Sequence, residues 1–155
     1  MLRRALPLLL ILALPSPAHA KSWKGIKPNE SKRGDVLSAF GEPKKKMKGN
    51  KEILAYTGDQ AISGTSQAQF LIKEDGTVEQ IIVFPKTTLE VSEVEDMYGK
   101  ACSDKEANQA SCYTKQVDDE FRVYYWYKKQ GLVVFFGDDK KTVASFIFNA
   151  PVNAK

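Results

Sequence analysis

Histidine is almost missing from this chain of 155 residues; the one copy is His19. It stands in a segment with the marks of an export signal: Arg3 and Arg4, an apolar stretch over residues 6–14 broken only by Pro7, and the small-x-small site Ala18-His19-Ala20. Pro7, Pro15 and Pro17 argue against a buried helix there. The expected mature protein begins after cleavage at Ala20, in the periplasm or outside the cell. It then has no imidazole base and no histidine metal ligand, which removes the commonest catalytic and zinc designs. No serine stands in G-x-S-x-G or S-x-x-K, and Gly34, Gly41 and Gly49 are spaced as turn punctuation, not as a phosphate loop. The acidic runs Asp118-Asp119-Glu120 and Asp138-Asp139 read as solvated turns. The expectation is a protein that is not an enzyme and holds no cofactor or metal.

Long apolar runs are lacking after residue 20, so no transmembrane span is expected. Lys21 rather than cysteine follows the cleavage point, which argues against a lipid anchor. Basic excess is also scarce: losing Arg3 and Arg4 lowers the formal charge from +4 to +2, too little to point to nucleic acid. Cysteine is limited to Cys102 and Cys112, and in an exported chain their expected state is a disulfide. In the loop-entropy account such a bridge stabilises by roughly 2.8 kcal/mol. Taking twenty residues from 155 leaves 135, enough for one domain with its own core.

What the chain does have is a β-rich stretch over residues 121–148. Three apolar runs rich in aromatic and β-branched residues are separated by two polar turns, which predicts an up-down-up sheet. Alternation puts Val123, Tyr125 and Tyr127 on one face, with Tyr124 and Trp126 on the other. A turn through residues 128–131 would pair Tyr124 with Phe135 and Trp126 with Val133.

Before this stretch, residues 21–30 form an arm whose Trp23 and Ile26 either tuck against the sheet or stay loose. Residues 31–40 carry Val36, Leu37 and Phe40 at helical spacing, with Asn29 or Ser31 as cap and Gly41 as stop. Residues 44–51, with five lysines, read as a basic loop. Lys44, Lys45, Lys46 and Lys48 suit either peripheral contact with an anionic membrane or plain solvation. Strands follow over residues 52–58, 68–72 and 77–84, the last two joined by a two-residue Asp75-Gly76 turn. A second helix opens on a Thr87/Glu90 capping box, lines Val91, Val94, Met97 and Tyr98 on one face and stops at Gly99. Residues 101–119 form the disulfide loop.

The halves rhyme: Phe40-Gly41 with Tyr98-Gly99, Tyr56 with Tyr127, and Val78, Ile81 and Val83 with Val143, Phe146 and Phe148. The expected architecture is α+β. Two tandem helix–three-strand units, 31–85 and 86–151, share an antiparallel sheet with both helices on one face, and a short tail, 152–155, follows. The pattern Ser31…Val36…Phe40-Gly41-Glu42-Pro43, then Tyr56, then Asp75-Gly76-x-Val78-x-x-Ile81 resembles the SmpA/OmlA (BamE-like) outer-membrane assembly domains. Two such units in tandem resemble the β-lactamase inhibitor protein fold. The resemblance implies a helical layer on one sheet face and a protein that works by contact.

If the helices cover the Tyr125/Tyr127 face, Tyr124 and Trp126 face outward as anchors for an envelope or secreted partner protein. The alternative is that the Trp23 arm or the disulfide loop covers them. A second functional expectation is an inhibitor of an exported hydrolase such as a β-lactamase or protease, plugging a cleft with the Cys102–Cys112 loop. A third is a carrier of an apolar ligand, which would need a deep pocket.

Overall fold

The computed structural model describes residues 20–103 and 111–152. Among them, helix α1 (Arg33–Phe40) is followed by strands β1 (Lys45–Lys48), β2 (Glu52–Thr57), β3 (Thr65–Ile72) and β4 (Val78–Pro85). Helix α2 (Val91–Tyr98) is followed by β5 (Thr114–Val117), β6 (Val123–Tyr127), β7 (Leu132–Phe136) and β8 (Val143–Phe148). All eight strands join one antiparallel sheet in the order β1-β2-β3-β4-β8-β7-β6-β5.

This corrects the expected architecture. The sheet dominates, the helices are two short pieces of eight residues, and neither half is a helix with three strands. The strands that were not expected, β1 and β5, are the two outer edges. Their sequences, KKMK and TKQV, have no apolar run. They are held by the backbone ladder to β2 and β6, which hydrophobic patterning does not register.

The middle of the sheet is the β4–β8 junction, where Ile81, Ile82 and Val83 face Phe148, Ile147 and Phe146. The strand order reads the same outward from the Ile82–Ile147 pair in both directions. Local detail follows the same pattern. The Lys32 backbone N–H donates to Asp35 Oδ2 at 2.7 Å to start α1, and that of Glu90 donates to Glu93 Oε2 at 2.8 Å to start α2. The helices therefore start later than the sequence suggests. Ser31 is engaged elsewhere: its hydroxyl accepts from the Lys27 N–H and its carbonyl from the Val78 N–H. Leu89 likewise accepts from the Val143 N–H, fixing the chain before α2 to β8. Both helices stop at a glycine with positive φ, Gly41 at +77° and Gly99 at +113°.

One face of the sheet meets the helices. Leu54, Tyr56, Phe70, Ile72, Val78, Ile81, Tyr127, Leu132 and Val134 are almost fully buried and cluster with Val36 of α1 and Val94 of α2. Each such side chain contributes about 1.5–3 kcal/mol by leaving water. Tyr56 donates its hydroxyl to the Gly41 carbonyl at 2.8 Å, and Tyr127 donates to Gly99 at 2.7 Å. Each tyrosine thereby ties the end of a helix to the sheet beneath it. The arm lies on this face too: Trp23 packs 6.1 Å from Phe40 and 6.0 Å from Phe70, and Ile26 is buried.

The Asp75-Gly76 turn differs from expectation by one residue. Lys73 and Thr77 close a three-residue loop with Gly76 at φ +80°, and a register shift follows at the Leu71/Ile72 step.

Candidate functional site

The helix-free face carries the candidate site. Strands β6 and β7 place Tyr124 opposite Phe135 and Trp126 opposite Val133, the register read from the sequence. The 3-10 turn Lys128–Gln130 with Gly131 in the left-handed region (φ +65°) makes that register possible. Tyr124 and Trp126 are half-buried, whereas Val123, Tyr125 and Tyr127 are buried under the helix side. With Gln80, Ile147 and Asn149 they line an open groove of about 430 Å³.

Among the described residues, neither the Trp23 arm nor the flanks of the disulfide loop line this groove. Its wall is the segment 149–152. The Asn149 N–H donates to the Gly131 carbonyl at 2.6 Å, and that of Val152 to Lys128 at 3.1 Å. A Cβ on Gly131 would sit 2.1 Å from the Asn149 carbonyl oxygen, so glycine is needed where the segment crosses. Gln80 Nε2 donates to Asn149 Oδ1 at 2.7 Å, which places a neutral polar pair beside the aromatic floor.

The floor is aromatic and its two ends are charged. Tyr124 and Phe135 pack with ring centroids 5.0 Å apart, and the Arg122 guanidinium lies 5.1 Å from the Phe135 ring centroid. Arg122 also pairs with Asp118 at 2.7 Å and Glu120 at 3.2 Å. At the other end Lys128 Nζ lies 4.6 Å from the Trp126 ring centroid. The lysine head lies over the Trp126 ring and leaves that side chain half-exposed.

No family model matches the chain. No curated protein matches it either. Among solved structures, the crystal structure of a DUF4309 family protein, YjgB from Bacillus subtilis, is similar. It shares 19% identity at a TM-score of 0.54, with 82% of this chain and 83% of that chain covered. At that identity the likeness is one of fold alone. It does not bear on the resemblance to the SmpA/OmlA domains or the β-lactamase inhibitor protein fold.

The Cys102–Cys112 disulfide is present, with Cα atoms 4.8 Å apart. Its flanks are anchored to α2 and to the sheet. Tyr113 stacks on Tyr125 at 3.8 Å and donates its hydroxyl to Glu95 Oε1 at 2.7 Å, and burial is the first cause pushing its phenol pKa up. A Cβ on Gly99 would lie 1.5 Å from the Ser111 carbonyl oxygen. The loop centre expected for an inhibitor, residues 104–110, lies outside the described residues, as do residues 1–19 of the expected signal.

The lysine run forms strand β1, not a loop. Lys46 pairs in register with Leu54 and Lys45 with Ala55, so these two adjacent lysines lie on opposite faces of the sheet. Lys44 is ion-paired with Asp59, and Lys46 with Glu42 at 2.5 Å; the Lys48 side chain lies outside what is described. Lysines on an outer strand discourage edge-to-edge pairing with other chains, which accounts for their position without a membrane.

On the helix side a smaller cavity of about 200 Å³ lies among Trp23, Leu89, Met97, Tyr98 and Phe146. It falls below the roughly 300–1,000 Å³ usual for ligand pockets. Among the described residues, no group of three or more His, Cys, Asp or Glu side chains could hold a metal, and no helix is long and apolar enough to cross a membrane.

Proposed function

We propose that the protein is an exported binding module of the cell envelope or extracellular space. It acts by contact, without turnover, and engages another protein through its helix-free sheet face around Tyr124 and Trp126. The observation that carries this reading is the aromatic groove itself. Antiparallel sheets commonly leave one face to water, but that face is then usually polar. Here Tyr124, Trp126, Val133, Phe135 and Ile147 make a contiguous, half-exposed apolar floor on rigid strands. Aromatic side chains held in one orientation lose little entropy on binding, which is why they serve as interface anchors. Residues 1–20 are the export signal in this reading, and the disulfide suits an oxidising compartment.

The test is affinity capture from envelope extract of the source organism with wild type and with Trp126→Ala, both checked for equal melting temperature. The reading expects at least one specific partner that Trp126→Ala loses. Retention of every captured protein by the variant would remove this face as the contact surface.

A further inference from the structure

A second feature stands at the end of β6 opposite Lys128. Phe121, at the tip of the β5–β6 turn, is 82% exposed, well above the other large hydrophobic side chains open to solvent. Its φ is +60°, a conformation that a bulky non-glycine residue seldom holds. The turn fixes it there. Asp118 Oδ1 accepts the Glu120 and Arg122 N–H groups at 3.0 and 2.9 Å, and the Phe121 N–H donates to the Asp118 carbonyl at 3.0 Å. The protein thus maintains a strained backbone and holds a phenyl ring in water. Flexibility does not explain such an arrangement; a site that uses the ring does.

The surroundings of the ring indicate what would receive it. Asp118, Asp119 and Glu120 flank Phe121 and outnumber Arg122, so the tip is an apolar knob with an acidic collar. The fitting receptor is an apolar recess with a basic rim. This chain has one: the Trp126 groove is larger than a phenyl ring, and the turn at its end carries Lys128 and Lys129. The knob precedes the start of β6, and the Trp126–Lys128 end of the recess lies at the finish of the same strand. Two copies with their β6 strands running antiparallel would bring each knob to the other's recess, and each acidic collar to the other's lysines. Both contacts then form together, and the assembly closes at two chains.

We propose that the protein pairs with a second copy of itself, the Phe121 tip of each copy seated in the Trp126 groove of the other. This pairing needs no outside partner. It adds a consequence, because a groove filled by Phe121 is closed to any other ligand until the pair separates.

Sedimentation velocity of the purified, disulfide-bonded protein over a hundredfold concentration range tests this. Wild type should shift from monomer to dimer and no further. Phe121→Ala and Trp126→Ala should each raise the dimer Kd about tenfold or more, the size expected for losing a central anchor. The decisive experiment mixes those two variants. Phe121→Ala keeps an intact groove and Trp126→Ala an intact knob, so the mixture recovers one of the two contacts and should associate more tightly than either variant alone. That recovery also shows that both variants are folded. Glu120→Lys and Lys128→Glu should each weaken pairing, and pairing should fall with added salt. A wild type that stays monomeric throughout, open-ended polymers, a mixture no tighter than its parts, or Phe121-dependent binding to zwitterionic vesicles without pairing would each overturn the proposal. Failure to dimerise would leave the capture experiment with Trp126→Ala unaffected, so the two readings fail separately.

Discussion

Tyr127→Phe removes one oxygen and little else, which makes it a clean probe of how the helices are tied to the sheet. The hydroxyl donates to the Gly99 carbonyl at 2.7 Å from a side chain that is fully buried. A neutral buried hydrogen bond contributes about 0.5–1.5 kcal/mol net, and a carbonyl left without its donor costs toward the upper end. A loss of about 1–1.5 kcal/mol is expected, or about 3–5 °C per kcal/mol in Tm for a domain of this size. Tyr56→Phe, which breaks the matching 2.8 Å bond to Gly41, should cost the same. The two share no hydrogen-bond partner, so the double variant should show the sum to within about 0.5 kcal/mol. Urea unfolding of the three variants reads these values directly. Tyr56 also predicts an alkaline signature. Burial pushes its phenol up to about 12, so the unfolded chain ionises first, near the ordinary tyrosine value of about 10. Stability from this group is complete below about pH 10 and is lost as pH rises toward about 12. Tyr56→Phe should flatten that part of the fall. Single variants within about 0.3 kcal/mol of wild type would refute the view that these hydroxyls tie the helix ends to the sheet.

Gly99→Ala combines a φ of +113° with a methyl 1.5 Å from the Ser111 carbonyl oxygen; a loss of about 3 kcal/mol or more is expected by chemical denaturation. Lys140 is a non-glycine residue at φ +57°, so Lys140→Gly should stabilise by about 0.5–1 kcal/mol, read as a rise in Tm. Asp139 accepts the Thr142 hydroxyl and the N–H groups of Thr142 and Lys141, which hold its carboxyl at about 2. Its contribution is present above the ordinary aspartate value of about 4 and is lost as pH falls toward about 2. The Tm gap between wild type and Asp139→Asn should therefore close over that window.

The central strands were legible because they bury one face. The alternation of β6, with Val123, Tyr125 and Tyr127 opposed to Tyr124 and Trp126, survives into the structure, as does the pairing with β7. The stops at Gly41 and Gly99 were also readable, since each carries a positive φ. The outer strands were not. Lys45–Lys48 and Thr114–Val117 have polar sequences, and they are held by backbone pairing to the next strand in the chain, which leaves no apolar pattern. The helix starts shifted for a related reason: Ser31 and Leu89 form hydrogen bonds to β4 and β8, and those tertiary contacts displace the local capping choice. The wall of the groove was missed because residues 149–152 show no pattern; their course is set by hydrogen bonds to Lys128, Gly131 and Gln80 and by the close approach of Gly131 to Asn149. Phe121 reads in sequence as the first residue of a strand, and its exposure follows from the Asp118 turn, which alternation does not encode.

In the proposed function, Trp126 sits at a surface that a partner covers. The chain has two tryptophans, so Trp23→Phe leaves Trp126 as the only indole. Its emission and iodide quenching can be followed as a captured partner is added, with binding scored independently by co-sedimentation. A blue shift and loss of quenching that track the bound fraction are expected. Bound partner with Trp126 emission and quenching unchanged would contradict it.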